Sequence, residues 1–74
     1  MIYTVVIDDS ECVRNFRTFR RAELWARKQV ERFNEPAIIE TGGMLLGIVR
    51  ADALNRIWTD LTEAGVLCAD KPAP

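Results

Sequence analysis

The stretch that decides the fold is RAELWARKQVERFN, which runs from Arg21 to Asn34. Six of its residues fall at the spacing of one helix face, and all of them except Gln29 are small or apolar; they are Ala22, Trp25, Ala26, Gln29, Val30 and Phe33. No glycine or proline interrupts the stretch, and Pro36 disfavours a helical conformation at the residue before it. The pattern predicts an amphipathic helix whose buried stripe is led by Trp25, Val30 and Phe33. Thr18 is a candidate cap, although no capping box follows it.

Two segments precede this helix. Residues 1–7 are mostly β-branched or aromatic on both alternating faces, which predicts a central strand, and residues 8–11 are turn formers. Residues 12–19 are ambiguous. A helix there would place Cys12, Phe16 and Phe19 on one side, with Asp9 or Ser10 as its cap. We favour a strand because it gives the first strand a hairpin partner.

After the helix, residues 37–41 and 44–50 are apolar runs that flank Gly42-Gly43. Two such runs joined by Gly-Gly predict a hairpin, since glycine takes positive φ without strain. Gly47 indicates a bulge or a close backbone approach by the packed helix. Asp52 is then expected to cap a second helix, which ends at Gly65. Its apolar face consists of Leu54, Ile57, Trp58 and Leu61.

The expected fold is therefore α+β with the order ββαββα: a four-stranded antiparallel sheet with two helices on one face. Residues 1–67 form a single domain, and residues 68–74 are expected to be a short frayed tail. The first and fourth strands are the most apolar, so we place them side by side in the middle, in the spatial order 2-1-4-3.

The composition argues against catalysis. The chain has no histidine, which removes the usual triads, and its Gly-Gly pair is too short to cradle a phosphate. Asp8, Asp9 and Glu11 match no cation-binding spacing and are better explained by turn chemistry. Cys12 and Cys68 form no CxxC pair; we expect free thiols, with Cys12 buried. We expect no enzyme activity, metal or cofactor.

Charge is distributed unevenly. Residues 12–34 hold seven basic and two acidic residues, a net of +5, whereas the rest of the chain holds three basic and nine acidic residues, a net of −6. Arginine-rich surfaces with an apolar centre are frequent binding anchors. We expect a non-catalytic protein-binding module that recognises a larger protein or ribonucleoprotein complex, and a small core also favours a homodimer. The candidate binding residues are Arg14, Arg17, Arg20, Leu24, Arg27, Lys28 and Glu31.

The alternative is a small nucleic-acid-binding regulator. Arginines interleaved with Phe16 and Phe19 suit single strands, because cations bind phosphate and rings stack on bases. The pI of about 5.3 is far below that of typical nucleic-acid-binding domains, which makes this alternative the weaker one. No apolar run approaches the roughly 20 residues of a membrane span, and Met1–Ile7 does not resemble a signal peptide. We therefore expect a cytoplasmic protein.

The short, acidic chain opens on Ile2-Tyr3-Thr4-Val5-Val6-Ile7 and continues through a hairpin into the helix Arg21-Ala22-Glu23-Leu24-Trp25-Ala26-Arg27. This layout resembles small orphan proteins of phages and mobile elements, among them the type I anti-CRISPR proteins. The resemblance implies an inhibitor, in the host cytoplasm, that occupies a surface of a host defence complex. It rests on the layout alone and carries over no site residues. The net charge of −1 departs from the strongly acidic DNA mimics of that functional class.

Overall fold

A computed structural model describes residues 1–7 and 12–69. It has five strands and two helices; in chain order they are β1 (Tyr3–Ile7), β2 (Cys12–Phe16), α1 (Phe19–Phe33), β3 (Ala37–Thr41), β4 (Met44–Ala51), β5 (Ile57–Leu61) and α2 (Glu63–Ala69). All strand pairs are antiparallel, in the order β2-β1-β3-β4-β5. The α+β class is confirmed, whereas the four-stranded sheet with its ββαββα order is wrong.

Helix α1 begins at Phe19, two residues earlier than predicted. Thr18 is its cap, with extended backbone and a hydroxyl oxygen that accepts the Arg21 N–H over 3.2 Å. Asn34 ends the helix in the left-handed conformation, at φ 55°, and its N–H donates to the Val30 carbonyl. The residues buried from α1 are Phe19, Ala22, Ala26 and Val30.

Two of the three bulky residues in the predicted stripe, Trp25 and Phe33, are less buried than expected. Trp25 is only partly buried at the edge of the core. Phe33 is 50% exposed, so its predicted burial is wrong. It lies in the last turn, where the chain already leaves α1 for β3, and the Arg32 guanidinium covers its ring at 5.3 Å.

The core lies between one face of the sheet and the helices. Tyr3, Val5 and Ile7 alternate along β1 toward α1, and the Tyr3 and Phe19 rings meet edge to face at 6.1 Å. The α2 residues Ala64 and Cys68 pack against the same core, so both helices cover the same face.

Strand β3, rather than β4, lies beside β1, so the predicted order 2-1-4-3 is wrong. The chain leaving α1 returns next to β1, and the tight β3–β4 turn then holds β4 on the outer side of β3. Gly42 and Gly43 form that turn at φ 55° and 80°, as predicted. The first and fourth strands do both lie inside the sheet.

The irregularity near Gly47 is also confirmed, but its cause differs. Ile39 pairs with Gly47 and Glu40 pairs with Leu45, so Leu46 is the extra residue of a bulge. The strand that crowds Gly47 is β5, not α1, since a Cβ at Gly47 would lie 3.1 Å from the Asp60 carbonyl oxygen.

The predicted second helix starting at Asp52 is wrong. Asp52 Oδ1 accepts the N–H groups of Leu54 and Arg56 at 2.9 Å each, and Oδ2 accepts from Arg56 Nε over 2.9 Å. A carboxylate that accepts backbone N–H groups can cap a helix, but the Asp52 carboxylate uses these bonds to close the β4–β5 turn. Strand β5 follows, and its register places Ile57 and Leu61 on the core side and Trp58 on the opposite side.

Helix α2 contains Gly65, which sequence reasoning took for a helix end. Gly65 is buried, and a Cβ there would overlap the carbonyl group of Leu46. Thr62 anchors the helix start: its hydroxyl accepts the Gly65 N–H, and its own N–H donates to Leu46 O over 2.9 Å. Cys68 and Ala69 belong to α2. The remainder of the proposed tail, 70–74, and the turn residues 8–11, including Asp8, Asp9 and Glu11, lie outside the described residues.

Candidate protein-binding surface

The outward face of α1 centres on Leu24, whose side chain is 51% exposed. Residues three and four positions away on a helix are surface neighbours. At all four such positions around Leu24 the chain has a cation: Arg20, Arg21, Arg27 and Lys28. An apolar side chain thus lies within a ring of positive charge, which we call the Leu24 surface.

Three of these cations, Arg20, Arg21 and Lys28, are exposed. Within residues 1–7 and 12–69 the structure contains one salt bridge, between Arg56 and Asp52 in the β4–β5 turn. The exposed cations of the Leu24 surface are therefore not neutralised by ion pairs in that part of the chain. Glu31 is exposed in the same helix. The surface consequently keeps its positive charge available to a partner.

Arg27 differs from the other cations of the ring. It is half-buried, and its guanidinium donates through Nη1 to the Ile57 carbonyl and through Nη2 to the Thr59 hydroxyl, both over 3.3 Å. These bonds join α1 to β5. Arg27 thus contributes to holding the helix on the sheet, whatever it contributes to binding.

Arg14, a predicted binding residue, lies on β2 beside α1. The Arg14 guanidinium lies 5.5 Å from the Phe16 ring centre and 5.6 Å from that of Trp25. The two rings are themselves 5.6 Å apart and tilted by 46°. Arg14 therefore couples the edge strand to α1 by cation–π contacts. Arg17 is exposed in the bend between the two elements, next to the Leu24 surface in sequence.

The aromatic rings that favoured nucleic-acid binding are already engaged. Phe19 is 7% exposed and belongs to the core, so it cannot stack on a base. Phe16 contacts Trp25 and lies under Arg14. The structure thus leaves the arginines exposed without the paired rings that single-strand recognition requires.

Sequence reasoning missed a second surface, the sheet face opposite the helices. Directly paired residues Val13, Val6, Ile38 and Ile48 form an apolar row across β2, β1, β3 and β4. We call this the open face, because no helix of the described chain packs on it. The sequence did contain an indication of it, since residues 1–7 and 44–50 are apolar on both sides.

An open cavity of about 470 Å³ lies where α1 ends beside the β4–β5 turn. Glu35, Arg50 and Asp52 are among its lining residues. Backbone N–H donation from Arg56, above all, lowers the pKa of Asp52, so its carboxylate belongs to the turn. Glu35 Oε2 and Arg50 Nε are buried without a hydrogen-bond partner in the part of the chain that is described. Besides Asp52, the cavity thus offers one carboxylate, that of Glu35, and one cation, the Arg50 guanidinium.

Both cysteines are free thiols, as expected. The prediction that Cys12 is buried is wrong, because β2 is an edge strand and exposes it. Cys68 is half-buried near Tyr3. The pKa of the Tyr3 hydroxyl is raised, mainly because the hydroxyl is removed from water and to a smaller extent because Cys68 is close. Across residues 1–7 and 12–69, no three histidine, cysteine or carboxylate side chains come together as metal ligands.

Comparisons with protein-family models, with curated proteins and with solved structures found no match to this chain. Neither helix in the described part combines the length and the apolar character needed to cross a membrane.

Proposed function

We propose that this protein is a non-catalytic binding module that recognises an acidic protein surface through the Leu24 surface and the two neighbouring arginines, Arg14 on β2 and Arg17 in the bend that follows it. The supporting observation is the ring of four cations around a half-exposed leucine. Arginine anchors around an apolar centre are typical of binding hot spots. Leucine supplies the area removed from water, and the cations set orientation and association rate.

The predicted binding residues contribute in different ways. Arg20, Leu24 and Lys28 are exposed and would meet a partner directly. Arg14 and Arg27 are held by contacts within the chain and fix the strand and helix that carry the others. Arg17 and Glu31 lie at the rim, where single charges change association rates more than affinity.

The partner class implied by the layout resemblance is a host defence ribonucleoprotein complex. That identity remains a hypothesis within the broader proposal. A ribonucleoprotein would offer acidic protein surfaces and phosphates together, so the test must separate the two. Binding through phosphate weakens steeply with salt and is lost on nuclease treatment.

The test is capture by the immobilised chain from a bacterial lysate, with and without nuclease treatment, and the bound proteins are identified by mass spectrometry. We expect the double reversal Arg20→Glu/Lys28→Glu to lose the proteins that the wild type captures, and Leu24→Ala to reduce them. The exchange Arg20→Lys/Lys28→Arg keeps every charge and should retain binding. Leu67→Ala removes an equally apolar side chain, 65% exposed on α2, and serves as the control for Leu24.

Circular dichroism must first show that each variant is folded. If the double reversal captures every protein that the wild type captures, the Leu24 surface is not the binding site. If the captured material disappears after nuclease treatment alone, the chain binds nucleic acid instead.

A further inference from the structure

The strand registers place four apolar side chains in one straight row on the open face. Val13 pairs with Val6, Val6 with Ile38, and Ile38 with Ile48. On each strand, the residues directly before and after the row residue point to the helices, because side chains alternate across a sheet. An exposed face of an antiparallel sheet is ordinarily polar. This face instead has an apolar centre, and Val13 is 58% exposed.

Polar groups border the row on both sides. Toward the β3–β4 turn lie Glu40 and Thr4, which are paired, and the Thr4 hydroxyl donates to Asn15 Oδ1 over 2.9 Å. On the other side lie Arg50 and Trp58, which are paired across β4 and β5. The Arg50 guanidinium is 5.6 Å from the Trp58 ring centre. The exposed Asp60 pairs with Ile48 and ends the row on β5. The open face therefore has an apolar middle, an acid on one side, a cation on the other and a second acid at the β5 end of the row.

We propose that two copies of this chain pack sheet against sheet through their open faces as a symmetric dimer. A symmetric dimer uses the same patch on both subunits, so the patch must complement itself. A two-fold axis running along the row lays each apolar row on its counterpart. The same rotation turns the Glu40 side of one copy over the Arg50 side of the other. It also places the two Asp60 residues opposite each other at the β5 end of the row, where their exposed charges are screened by salt. An axis along the strands would instead bring the two Glu40 residues together and would lose the approach of Glu40 to Arg50.

The size of the face sets the expected strength. Five strands are separated by four spacings of about 4.8 Å, so the sheet is roughly 19 Å wide between its outer strands. A face of this width and about five residues of strand length buries less than the roughly 800 Å² per partner of a standard interface. We therefore expect a dissociation constant in roughly the micromolar range. The net charge of −1 adds little repulsion between copies.

The dimer goes beyond the proposed binding function and rests on a different surface. Helix α1 lies on the opposite side of the sheet from the row. Sheet-to-sheet packing would thus leave both Leu24 surfaces outward, on opposite sides of the assembly. The dimer would be a bivalent binder, and its avidity for a clustered partner would exceed that of one copy.

The test is sedimentation velocity of the full chain, with a reductant present, from about 1 to 500 μM, a range that brackets the expected constant. The wild type should move from its monomer mass of 8.4 kDa toward twice that mass. Val13→Lys and Ile38→Thr should each weaken association about tenfold or more, since they place polar groups in the apolar row. Leu24→Lys changes an exposed leucine on the other side and should leave association unchanged.

A charge exchange tests the orientation of the two copies. Glu40→Arg and Arg50→Glu should each weaken the dimer, and the double variant should recover most of the loss. Circular dichroism of dilute samples establishes that each variant monomer is folded. Val13 lies on an edge strand and is exposed, so its lysine variant remains informative if Ile38→Thr is unstable.

Three results would overturn the proposal. The first is a wild type that stays monomeric to about 500 μM, well above the expected constant. The second is a dimer weakened by Leu24→Lys and not by Val13→Lys or Ile38→Thr. The third is a dimer that exists only without reductant, which would be a disulfide through the exposed Cys12.

If the wild type stays monomeric and binds a different protein through Val13, the open face belongs to that partner instead. Each outcome is separate from capture through the Leu24 surface, so the two proposals can fail independently.

Discussion

The guanidinium of Arg27 on α1 donates a hydrogen bond to the backbone carbonyl of Ile57 on β5. Bonded pairs alternate along an antiparallel ladder. At the end of the β4–β5 hairpin the Asp52 N–H donates to the Arg56 carbonyl, whereas the Arg56 N–H donates to the Asp52 side chain. Arg56 thus faces β4, and the next residue, Ile57, turns its backbone groups away from β4. Arg27 therefore caps an outward carbonyl on an edge strand. A covered, charged edge resists pairing with other chains.

Replacing Arg27 by methionine should destabilise the monomer by about 1 to 2 kcal/mol, because two hydrogen bonds of about 0.5 to 1.5 kcal/mol each are lost and one outward carbonyl returns to solvent. Urea denaturation followed by circular dichroism measures the change. Lys28→Met removes the neighbouring cation, which is exposed, and should change stability by less than about 0.5 kcal/mol. Equal effects of the two substitutions would contradict the structural role of Arg27.

Gly65→Ala should be among the most damaging single substitutions in the chain. The new methyl group would overlap the Leu46 carbonyl, which is backbone and cannot turn aside. Helix α2 would have to move off β4, so we expect a loss of about 3 kcal/mol or more of unfolding free energy. Val66→Ala, at a neighbouring exposed position of the same helix, is the control and should cost less than about 1 kcal/mol. Thermal melts of both variants would show the difference directly.

Local patterns predicted the first half of the fold well. The helix around Trp25 and the Gly42-Gly43 hairpin followed from periodicity and turn chemistry, which act within a few residues. The spacing of Leu54, Ile57, Trp58 and Leu61 predicts a helix between Asp52 and Gly65. Residues 57–61 also fit a strand, because their side chains alternate between half-buried and exposed over five positions. The strand is formed because β4 has a free edge with which these residues pair.

The candidate site also has a part that could be predicted from the sequence and a part that could not. The charged face of α1 is a property of one helix, and its exposure could be anticipated from sequence. That Arg27 reaches β5 depends on a strand that sequence reasoning did not find. The open face depends on the pairing of four strands, which no local pattern contains.

The two thiols should react at different rates. Cys12 lies exposed on the edge strand β2, whereas Cys68 is half-buried on α2 beside the core. Under native conditions, a thiol reagent such as dithionitrobenzoate should label Cys12 at least about tenfold faster, because access to the thiolate limits the reaction. Cys12→Ser should remove the fast phase and Cys68→Ser the slow one. Two equal phases in the folded protein would contradict this placement of Cys12.

Asp52 should make the stability of the β4–β5 turn depend on pH. The N–H groups of Arg56 and Leu54 favour the charged carboxylate, so its pKa in the folded protein lies below the unfolded value. A depressed carboxyl pKa stabilises the fold above the unfolded pKa, which is about 3.9 for aspartate. That contribution is lost as the pH falls through the folded pKa. Asp52→Asn keeps an oxygen acceptor for the turn and removes the charge.

We therefore expect the wild type to melt at a higher temperature than Asp52→Asn at pH 7, with the difference shrinking as the pH is lowered below about 4. Salt should reduce the part that comes from the exposed Arg56 partner, because ion pairs at the surface are screened. Arg56→Gln keeps the backbone N–H donors and removes only the side-chain partner, so it should retain most of the pH dependence. If Asp52→Asn and the wild type instead lost stability in parallel as the pH fell, the carboxylate would not be the group that the turn stabilises.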